Sequence, residues 1–552
     1  MKLRSTKLTT VIMLTAGMLL SSCSQEASKD DAGKNEKKLA TGNYVPQGLL
    51  SKSLPEIADA LSKREITSVA LVQLYLNRID AVDRNGPTLQ AILTLNPNAL
   101  ADAKALDDML AAGQIKGPLH GVPILLKDNI ETKDAMPTTA GALALADNIT
   151  GRDSPLVAGL REAGAVILGK TNLSQWANFR SDGSMSGWTA LGGQVRNPHM
   201  LDRNPCGSSS GSGAAAAASL AAGTVGTETN GSVICPSNAN GVVGFKPTVG
   251  IVPQGLIIPI SATQDTAGPM TKTVKGAAMM MDAMSPAHTA GTFSKGLNKD
   301  GLKGIRVGVL RYAQGEFAPT LALFEAALKD IEAAGAILVD ITEAPSTPEG
   351  YGKMTYDLLK YEFKHGLNAY LASTNTEQVK TRTLKDLIAF NQEHADIELA
   401  LFDQSIFIAS EAMNSLDDPD YKKTVDVVLK TNREDGVDKL LADHNVALLV
   451  APSGAVSPRV DPINGDVWPN DWPGAGSMAA RAGYPHATVP MGGINAISVG
   501  LSFIGGKNDD ANILSYAYAY EQQSMKRLEP HYYTNAEELP EIAKAMKPYE
   551  GK

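Results

Sequence analysis

The sequence predicts one large α/β domain, on two observations. Apolar runs suited to buried strands alternate with helical segments, as where 156–163 is predicted helical and Val166-Ile167-Leu168 follows as a strand. Such alternation favours a sheet with helices outside it. The second observation is that no linker-like segment follows residue 45, although a chain of 552 residues is long enough for three or four domains.

Apolar residues at helical spacing and end signals predict the helices. In the first helix the apolar side chains share one face, and Thr67 or Ser68 can cap its start. Gly113 and Gly335 are stop signals for two later helices. In chain order, the predicted helices are 66–82, 97–110, 156–163, 276–284, 322–334, 356–372, 397–413 and 511–521.

Short apolar runs predict the strands. The run VPILL at 122–126 is suited to a buried strand, and Lys127 stands at its exit. In chain order, the predicted strands are 89–95, 122–126, 166–168, 305–310, 337–340, 447–450, 488–491 and 499–504. The core of the domain is predicted at 115–275 and 445–525, with a helical cover over about 350–440.

The start of the chain predicts export. Lys2, Arg4 and Lys7 precede an apolar run at 8–20 that is too short for a comfortable membrane span. Small residues follow this run, so 1–22 is predicted as a signal peptide.

The residues Leu20-Ser21-Ser22-Cys23 resemble the bacterial lipobox, in which the cysteine is lipidated. We therefore expect an exported bacterial lipoprotein of the cell envelope that faces the periplasm, and Ser24 favours the outer membrane. An ordinary secretory signal with a chance cysteine is the alternative. The segment 23–45 is polar, cannot bury enough apolar surface to order itself, and predicts a disordered tether before a domain at 46–552.

Composition excludes some classes of partner. The chain has 59 acidic and 50 basic residues and no basic stripe, so nucleic acid is not expected as a partner. Besides Cys23 only Cys206 and Cys235 are present, which is not a disulfide framework. A single bridge between those two is left open, and the alternative is that both are small buried thiols of the core.

The stretch from Asn204 to Gly250 is rich in serine, glycine and alanine, and it predicts a buried catalytic platform. Ser208 lies in CGSSSGSG before an alanine run, and Ser232 follows in GTETNGS. No histidine lies between these serines, so the candidate base is upstream, at Lys127.

Two familiar motifs in this stretch are interpreted as accidental. Residues 207–211 match G-x-S-x-G and residues 211–216 match G-x-G-x-x-A, but both motifs need an apolar strand directly before them. The preceding HMLDRNPC is polar and contains Pro205. No Walker loop, CxxC or HExxH pattern is present.

Taken alone, Lys127 is best explained as a solvated residue at the end of a strand, and Ser232 as a serine in a turn. Their occurrence together favours a catalytic site instead. GVPILLKDN, CGSSSGSG, GTETNGS and the following GVVGFKPT together resemble the amidase signature family. The segments PTTAG, GKTN and AGYPHATVP extend the resemblance over most of 50–525. It implies a mixed, twisted sheet covered by helices on both faces.

The resemblance also implies the roles of individual residues. Ser232 is expected to be the nucleophile, Ser208 a bridging serine after a cis peptide bond, and Lys127 the terminal base. The backbone N–H groups of Thr229, Asn230, Gly231 and Ser232 are expected to form the oxyanion hole. No metal or cofactor is implied, and neither His120 nor His486 has a role in this mechanism.

Lysine accepts a proton only when neutral, so we expect Lys127 to be buried and activity to favour neutral to alkaline pH.

Within the family the chain is most like peptide amidases. GKTNLSQWANFRS at 169–181, QDTAGPM at 264–270 and YEFKHGLNAYL at 361–371 carry this likeness. It implies hydrolysis of C-terminal peptide amides through an acyl-enzyme, with release of ammonia and with specificity from the helical cover. The alternatives are an amidase for small aryl, aliphatic or fatty acyl amides, a catalytically silent binding lipoprotein, and a tRNA-dependent amidotransferase subunit, which the export signal disfavours.

Overall fold

The computed structural model describes residues 44–285, 291–468 and 471–548. The predicted signal peptide, Cys23 and nearly all of the predicted tether lie outside the described residues. Among the residues it does describe, the structure has no helix that is both long and apolar enough to span a membrane.

Eleven strands of the described residues form one sheet, and β4 and β5 pair in a small separate one. In chain order the strands are β1 (Ile92–Leu95), β2 (Pro123–Lys127), β3 (Val166–Thr171), β4 (Trp188–Thr189), β5 (Gly193–Gln194), β6 (Gly223–Glu228), β7 (Val243–Lys246), β8 (Thr266–Thr271), β9 (Arg306–Leu310), β10 (Ile337–Ile341), β11 (Leu448–Pro452), β12 (His486–Ile494) and β13 (Ile497–Ile504).

The large sheet is mixed. Its strand order is β1-β3-β2-β6-β8-β7-β12-β13-β11-β9-β10. Strands β3, β2 and β6 run parallel, as do β11, β9 and β10, whereas the pairs between them are antiparallel. This confirms the prediction of one α/β domain built on a mixed sheet. Strands β1, β9 and β10 extend this sheet outside the ranges predicted as its core.

Helices surround the sheet. They are α1 (Leu54–Ser62), α2 (Ser68–Ile79), α3 (Ala99–Ala111), α4 (Pro155–Glu162), α5 (Ser210–Ala217), α6 (Ile234–Asn240), α7 (Val274–Met284), α8 (Thr292–Lys295), α9 (Ala318–Ala333), α10 (Tyr351–Ser373), α11 (Leu384–Glu393), α12 (Ala395–Glu398), α13 (Ser405–Glu411), α14 (Pro419–Asn432), α15 (Asp438–Asp443), α16 (Gly476–Ala482), α17 (Asp510–Ser524) and α18 (Pro540–Ala545).

The central strands β6, β7 and β8 were not among those predicted from apolar runs. Their sequences GTVGTE, VGFK and TAGPMT contain much glycine and threonine and little large apolar surface. All three are nonetheless buried along their whole length, because helices and neighbouring strands enclose them. Pairing with both neighbours, rather than side-chain hydrophobicity, holds these strands in the sheet.

The helices of 351–443 form a cover with its own apolar core, in which Phe363 on α10 contacts Phe407 on α13. A buried ion pair joins this cover to the sheet domain: Arg180 Nη1 lies 3.3 Å from Glu398 Oε2, and neither side chain is exposed. Residues 399–404, which were predicted to continue a helix, are not helical. The charged pair fixes the position of the cover over the sheet.

Candidate active site

Lys127 ends the central strand β2 and is fully buried. Its Nζ lies 2.7 Å from Ser208 Oγ and 2.8 Å from Thr227 Oγ1, and it donates to Thr227 O at 3.4 Å. Burial lowers the pKa of Lys127 to about 7, although the negative charges of Asp265 and Glu228 oppose that shift. The burial expected for this lysine is therefore observed, and its amine is partly neutral near pH 7.

Lys170, on the adjacent strand β3, is also fully buried but has a different environment. Its Nζ lies 3.5 Å from Asp128 Oδ1 and donates to Ile130 O at 2.6 Å. Lys127 has no such carboxylate within ion-pair distance among the described residues. Burial lowers the pKa of Lys170 as well, and the charge of Asp128 opposes that shift. Lys127 differs in that it contacts a serine hydroxyl of the cleft rather than a carboxylate.

Ser208 lies in the loop before α5, and the Gly207–Ser208 peptide bond is cis, as the resemblance implies. A Cβ atom at Gly207 would lie 2.2 Å from Ser174 Oγ, so only glycine fits there. Ser210 Oγ donates to Cys206 O at 2.6 Å and closes the loop. No strand precedes Gly207 in this described segment, which supports rejecting the G-x-S-x-G motif as a nucleophile elbow.

Ser232 lies in the turn between β6 and α6, where Gly231 has a φ of +83°. Glu228 Oε2 accepts hydrogen bonds from Val233 N at 2.8 Å and Ile234 N at 3.0 Å, which fixes the turn against the start of the helix. The backbone N–H groups of residues 229–232 have no acceptor within the part of the chain that the structure describes. They are therefore free to bind an oxygen atom of a ligand.

The fold brings the two serine segments together. Ser209 N donates to Ser232 O at 3.2 Å, and Ser208 and Ser232 line the same cleft. No hydrogen bond joins Ser208 Oγ to Ser232 Oγ among the described residues. Lys127 and Ser208 already touch.

The cleft has a volume of about 530 Å³ and a mainly apolar wall. Its other polar members are Asn129, Thr227, Thr229, Gln254, Ser261, Asp265, Glu362 and His365, and its apolar members include Val252, Ile257, Ile258, Pro259, Ile260 and Leu416. A second cavity of about 360 Å³ also reaches Ser232, from the side of Asn230. No lysine or arginine is among the described residues that line the first cleft.

Three residues of this site were not predicted from the sequence. Thr227 Oγ1 receives hydrogen bonds from Lys127 Nζ and, at 3.0 Å, from Asn129 Nδ2. Asp265 Oδ1 accepts a hydrogen bond from Thr229 Oγ1 at 2.6 Å and so holds the turn that carries Ser232. Asn129 and Asp265 lie inside the KDN and QDTAGPM segments, so their place in those motifs was the available signal.

The two histidines noted in the sequence lie outside this arrangement. His120 Nε2 lies 2.9 Å from Leu106 O, and His486 is buried with Nε2 2.7 Å from Ser502 Oγ. Burial lowers the pKa of His486 to about 3. No group of three or more histidine, cysteine, aspartate or glutamate side chains suited to a metal occurs among the described residues.

Cys206 and Cys235 form a disulfide, which decides between the two alternatives that the sequence left open. The two residues lie 29 positions apart in sequence, with Cα atoms separated by 5.8 Å. Their spacing alone could not show this, because the fold of the intervening α5 and β6 brings them together. Neither sulfur can act as a nucleophile in this state.

Comparison with known proteins identifies similar chains over most of the length. The profile of the Amidase family matches residues 70–514. A probable amidase of Arabidopsis thaliana is 34% identical over 500 residues, which cover 87% of this chain and 91% of that protein.

Two solved structures are similar at 43% identity. The native peptide amidase from Stenotrophomonas maltophilia has a TM-score of 0.81, with 87% of this chain and 98% of that chain covered. A peptide amidase in complex with the competitive inhibitor chymostatin has a TM-score of 0.83, with 87% and 99% covered.

Proposed function

The chain belongs to the amidase signature family of hydrolases, which act on amide carbon–nitrogen bonds, and we propose that it deamidates C-terminal peptide amides through an acyl-enzyme. The observation that carries this proposal is the buried contact of 2.7 Å between Lys127 Nζ and Ser208 Oγ, in a cleft that Ser232 also lines. A lysine with a pKa of about 7 can serve as a base at neutral pH.

In the proposed acylation, Ser232 Oγ attacks the amide carbonyl carbon and forms a carbon–oxygen bond. The proton of Ser232 passes through the hydroxyl of Ser208 to Lys127. The carbonyl oxygen gains negative charge and binds the free N–H groups of 229–232; loss of one such donor typically costs roughly 100- to 1000-fold in kcat.

The carbon–nitrogen bond then breaks as the leaving nitrogen takes a proton back along the same route. Ammonia departs and the acyl group remains as an ester on Ser232. A water molecule attacks this ester, again with Lys127 as the terminal base, and releases the carboxylic acid. The net reaction is amide plus water to acid plus ammonia.

The walls of the cleft support an amide rather than an acid as the substrate. Asp265 and Glu362 line it, and no lysine or arginine of the described residues does. A free carboxylate would lack a charged partner there, whereas a neutral carboxamide requires none. The same charges favour release of the acid product. The mainly apolar wall suits an uncharged side chain next to the amide.

Similarity to the two peptide amidases supports a peptide as the acyl part of the substrate. The α10 segment that resembles peptide amidases places Glu362 and His365 on the cleft wall. The helical cover therefore contributes directly to the surface that would contact a peptide.

We also propose that the protein is an exported lipoprotein held at the cell envelope by Cys23. The basic start, the short apolar run and the cysteine after Leu20-Ser21-Ser22 support this proposal. The membrane would then be contacted through the lipid only, with the amidase domain on a polar tether.

The experiment is the release of ammonia from a panel of peptide amides, aryl amides, fatty acyl amides and free peptides, with wild type and Ser232→Ala. We expect release from peptide amides by the wild type alone. Turnover of fatty or aryl amides alone would shift the substrate class, and no turnover of any amide by folded wild type would refute the proposed function.

A further inference from the structure

The disulfide between Cys206 and Cys235 joins the two segments that carry the serines. Cys206 comes shortly before Ser208, and Cys235 shortly after Ser232, in the first turn of α6. We propose that this disulfide positions the two serines against each other, so that its reduction lowers amide turnover in a protein that stays folded. The proposal rests on the proposed function of these serines.

Each serine also has contacts of its own. Ser208 contacts Lys127, which Thr227 also binds. The Ser232 turn is held by Glu228, through its bonds to the backbone of α6. The disulfide is the covalent link between these two sides, so it restrains the distance across which the proton must pass.

Several hydrogen bonds accompany the disulfide: Ser209 Oγ donates to Thr227 O and accepts from Thr227 N, both at 3.1 Å. Ser209 N donates to Ser232 O at 3.2 Å, and Asn240 Nδ2 donates to Pro205 O at 2.8 Å. These hydrogen bonds and the buried strand β6 keep the segments near each other after reduction, so the fold survives. The hydroxyls of Ser208 and Ser232 are not hydrogen-bonded to each other. The proposed relay therefore depends on a movement that brings the two hydroxyls together.

Gly207, which follows Cys206 in the chain, and Trp468 line the second cavity, and the disulfide lies behind them. Trp468 packs against the two cysteines, and each cysteine is 6% exposed. Access of a small dithiol such as dithiothreitol to the sulfurs requires Trp468 to move aside, so a thiol titration must verify that the bond has been reduced. Reduction breaks the sulfur–sulfur bond, leaves two protein thiols and converts the dithiol to its cyclic disulfide, which balances the two electrons transferred.

Reduction leaves the cleft walls and the Lys127–Ser208 contact in place, because other elements hold them. The effect is therefore expected on kcat rather than on KM. The acidic limb of the pH profile should also stay where it is, since the surroundings of Lys127 do not change. A general loss of structure would instead alter kcat, KM and the acidic limb of the pH profile together.

The test uses the full chain with Cys23→Ser, so that a thiol titration reports this pair alone. Amide turnover is measured for the oxidised protein, for the dithiothreitol-reduced protein and for Cys206→Ala/Cys235→Ala. We expect kcat to fall by about tenfold or more in the last two, since misplacement by about 1 Å can cost roughly 100-fold. KM should change by less than about twofold. Dithiothreitol should not alter the double variant, which is the matched control.

Full kcat with two titrated thiols would overturn the proposal. Loss of the circular dichroism signal on reduction would also overturn it, because the disulfide would then stabilise the whole fold. An oxidised protein without activity on any amide would instead refute the proposed function, and this inference with it.

Discussion

Lys127 differs from an ordinary strand-end lysine because nothing charged compensates its burial at close range. Its partners are the oxygens of Ser208 and Thr227, which are neutral. Asp265 and Glu228 act on it only through their charge at longer range and raise its pKa in part. The balance leaves an amine that changes protonation near neutral pH, as the proposed relay through a serine hydroxyl requires.

The pH dependence of kcat/KM follows from this lysine. Its pKa is lowered to about 7, so below pH 7 it is protonated and cannot accept the serine proton. We expect kcat/KM to fall by about tenfold per pH unit below that pKa and to reach a plateau above it. Lys127→Ala should be inactive at every pH. A flat wild-type profile between pH 5 and 9 would contradict the assignment of the base.

Asp265→Asn should move the acidic limb of that profile to lower pH. The charge of Asp265 raises the pKa of Lys127, so its removal lowers that pKa further. Burial raises the pKa of Asp265 itself to about 6, so the effect is measurable at pH 6 to 8, where Asp265 is charged. Glu362→Gln is the control: it lines the same cleft, and the limb should stay in place. An unmoved limb in Asp265→Asn would contradict this electrostatic account.

At the scale of elements, β6, the turn at 229–233 and α6 form one unit. Glu228 ends the strand and caps the helix, so the strand and the helix both fix the Ser232 turn. The GTETNGS pattern points to Ser232 by family likeness, but β6 itself has too much glycine and threonine to be found from periodicity. The capping role of Glu228 depends on contacts that only the folded backbone defines.

The helical cover is joined to the sheet domain by Glu398 on α12. This carboxylate accepts hydrogen bonds from Leu143 N and Gln175 Nε2, both at 2.6 Å, and forms an ion pair with Arg180. Burial raises the pKa of Glu398 and lowers that of Arg180 to about 10, so both charges are desolvated. Each depends on the other for stabilisation.

Glu398→Ala should lower the free energy of unfolding by about 3 to 5 kcal/mol, because it leaves Arg180 buried without its partner. Urea unfolding followed by circular dichroism measures this change. Glu393→Ala, an exposed position on α11, is the control and should stay within about 0.5 kcal/mol of wild type. Equal stability of the two variants would show that the pair does not hold the cover.

At the scale of the whole molecule, the sheet brings together residues that are distant in the chain. Lys127 ends β2, which pairs with β6. Ser208 lies before α5 and Ser232 lies after β6. Apolar runs predicted the strands of the large sheet outside its centre, and apolar residues at helical spacing predicted about half of the described helices. The family motifs pointed to these three residues. The sequence left the disulfide open, and the roles of Thr227 and Asp265, which lie inside family motifs, arise from distances that the fold creates.

The anchoring of the molecule is tested by Cys23→Ser. We expect wild type in the membrane fraction, with incorporation of a labelled fatty acid, because lipid chains bury CH₂ groups at roughly 0.8 kcal/mol each. The variant should lose the label and leave the membranes. Ser22→Ala, which keeps the cysteine, is the control. Unchanged fractionation of Cys23→Ser would refute the anchor.

The central claim is that the acyl group of the substrate is transferred to Ser232. A p-nitrophenyl ester of the same acyl group has a better leaving group than an amide, so release of the acyl-enzyme should become limiting. Rapid mixing should give a burst of about one nitrophenol per enzyme, and acid quench with peptide mapping should place the acyl mass on Ser232. No burst, or an acyl group on Ser208, would contradict the account.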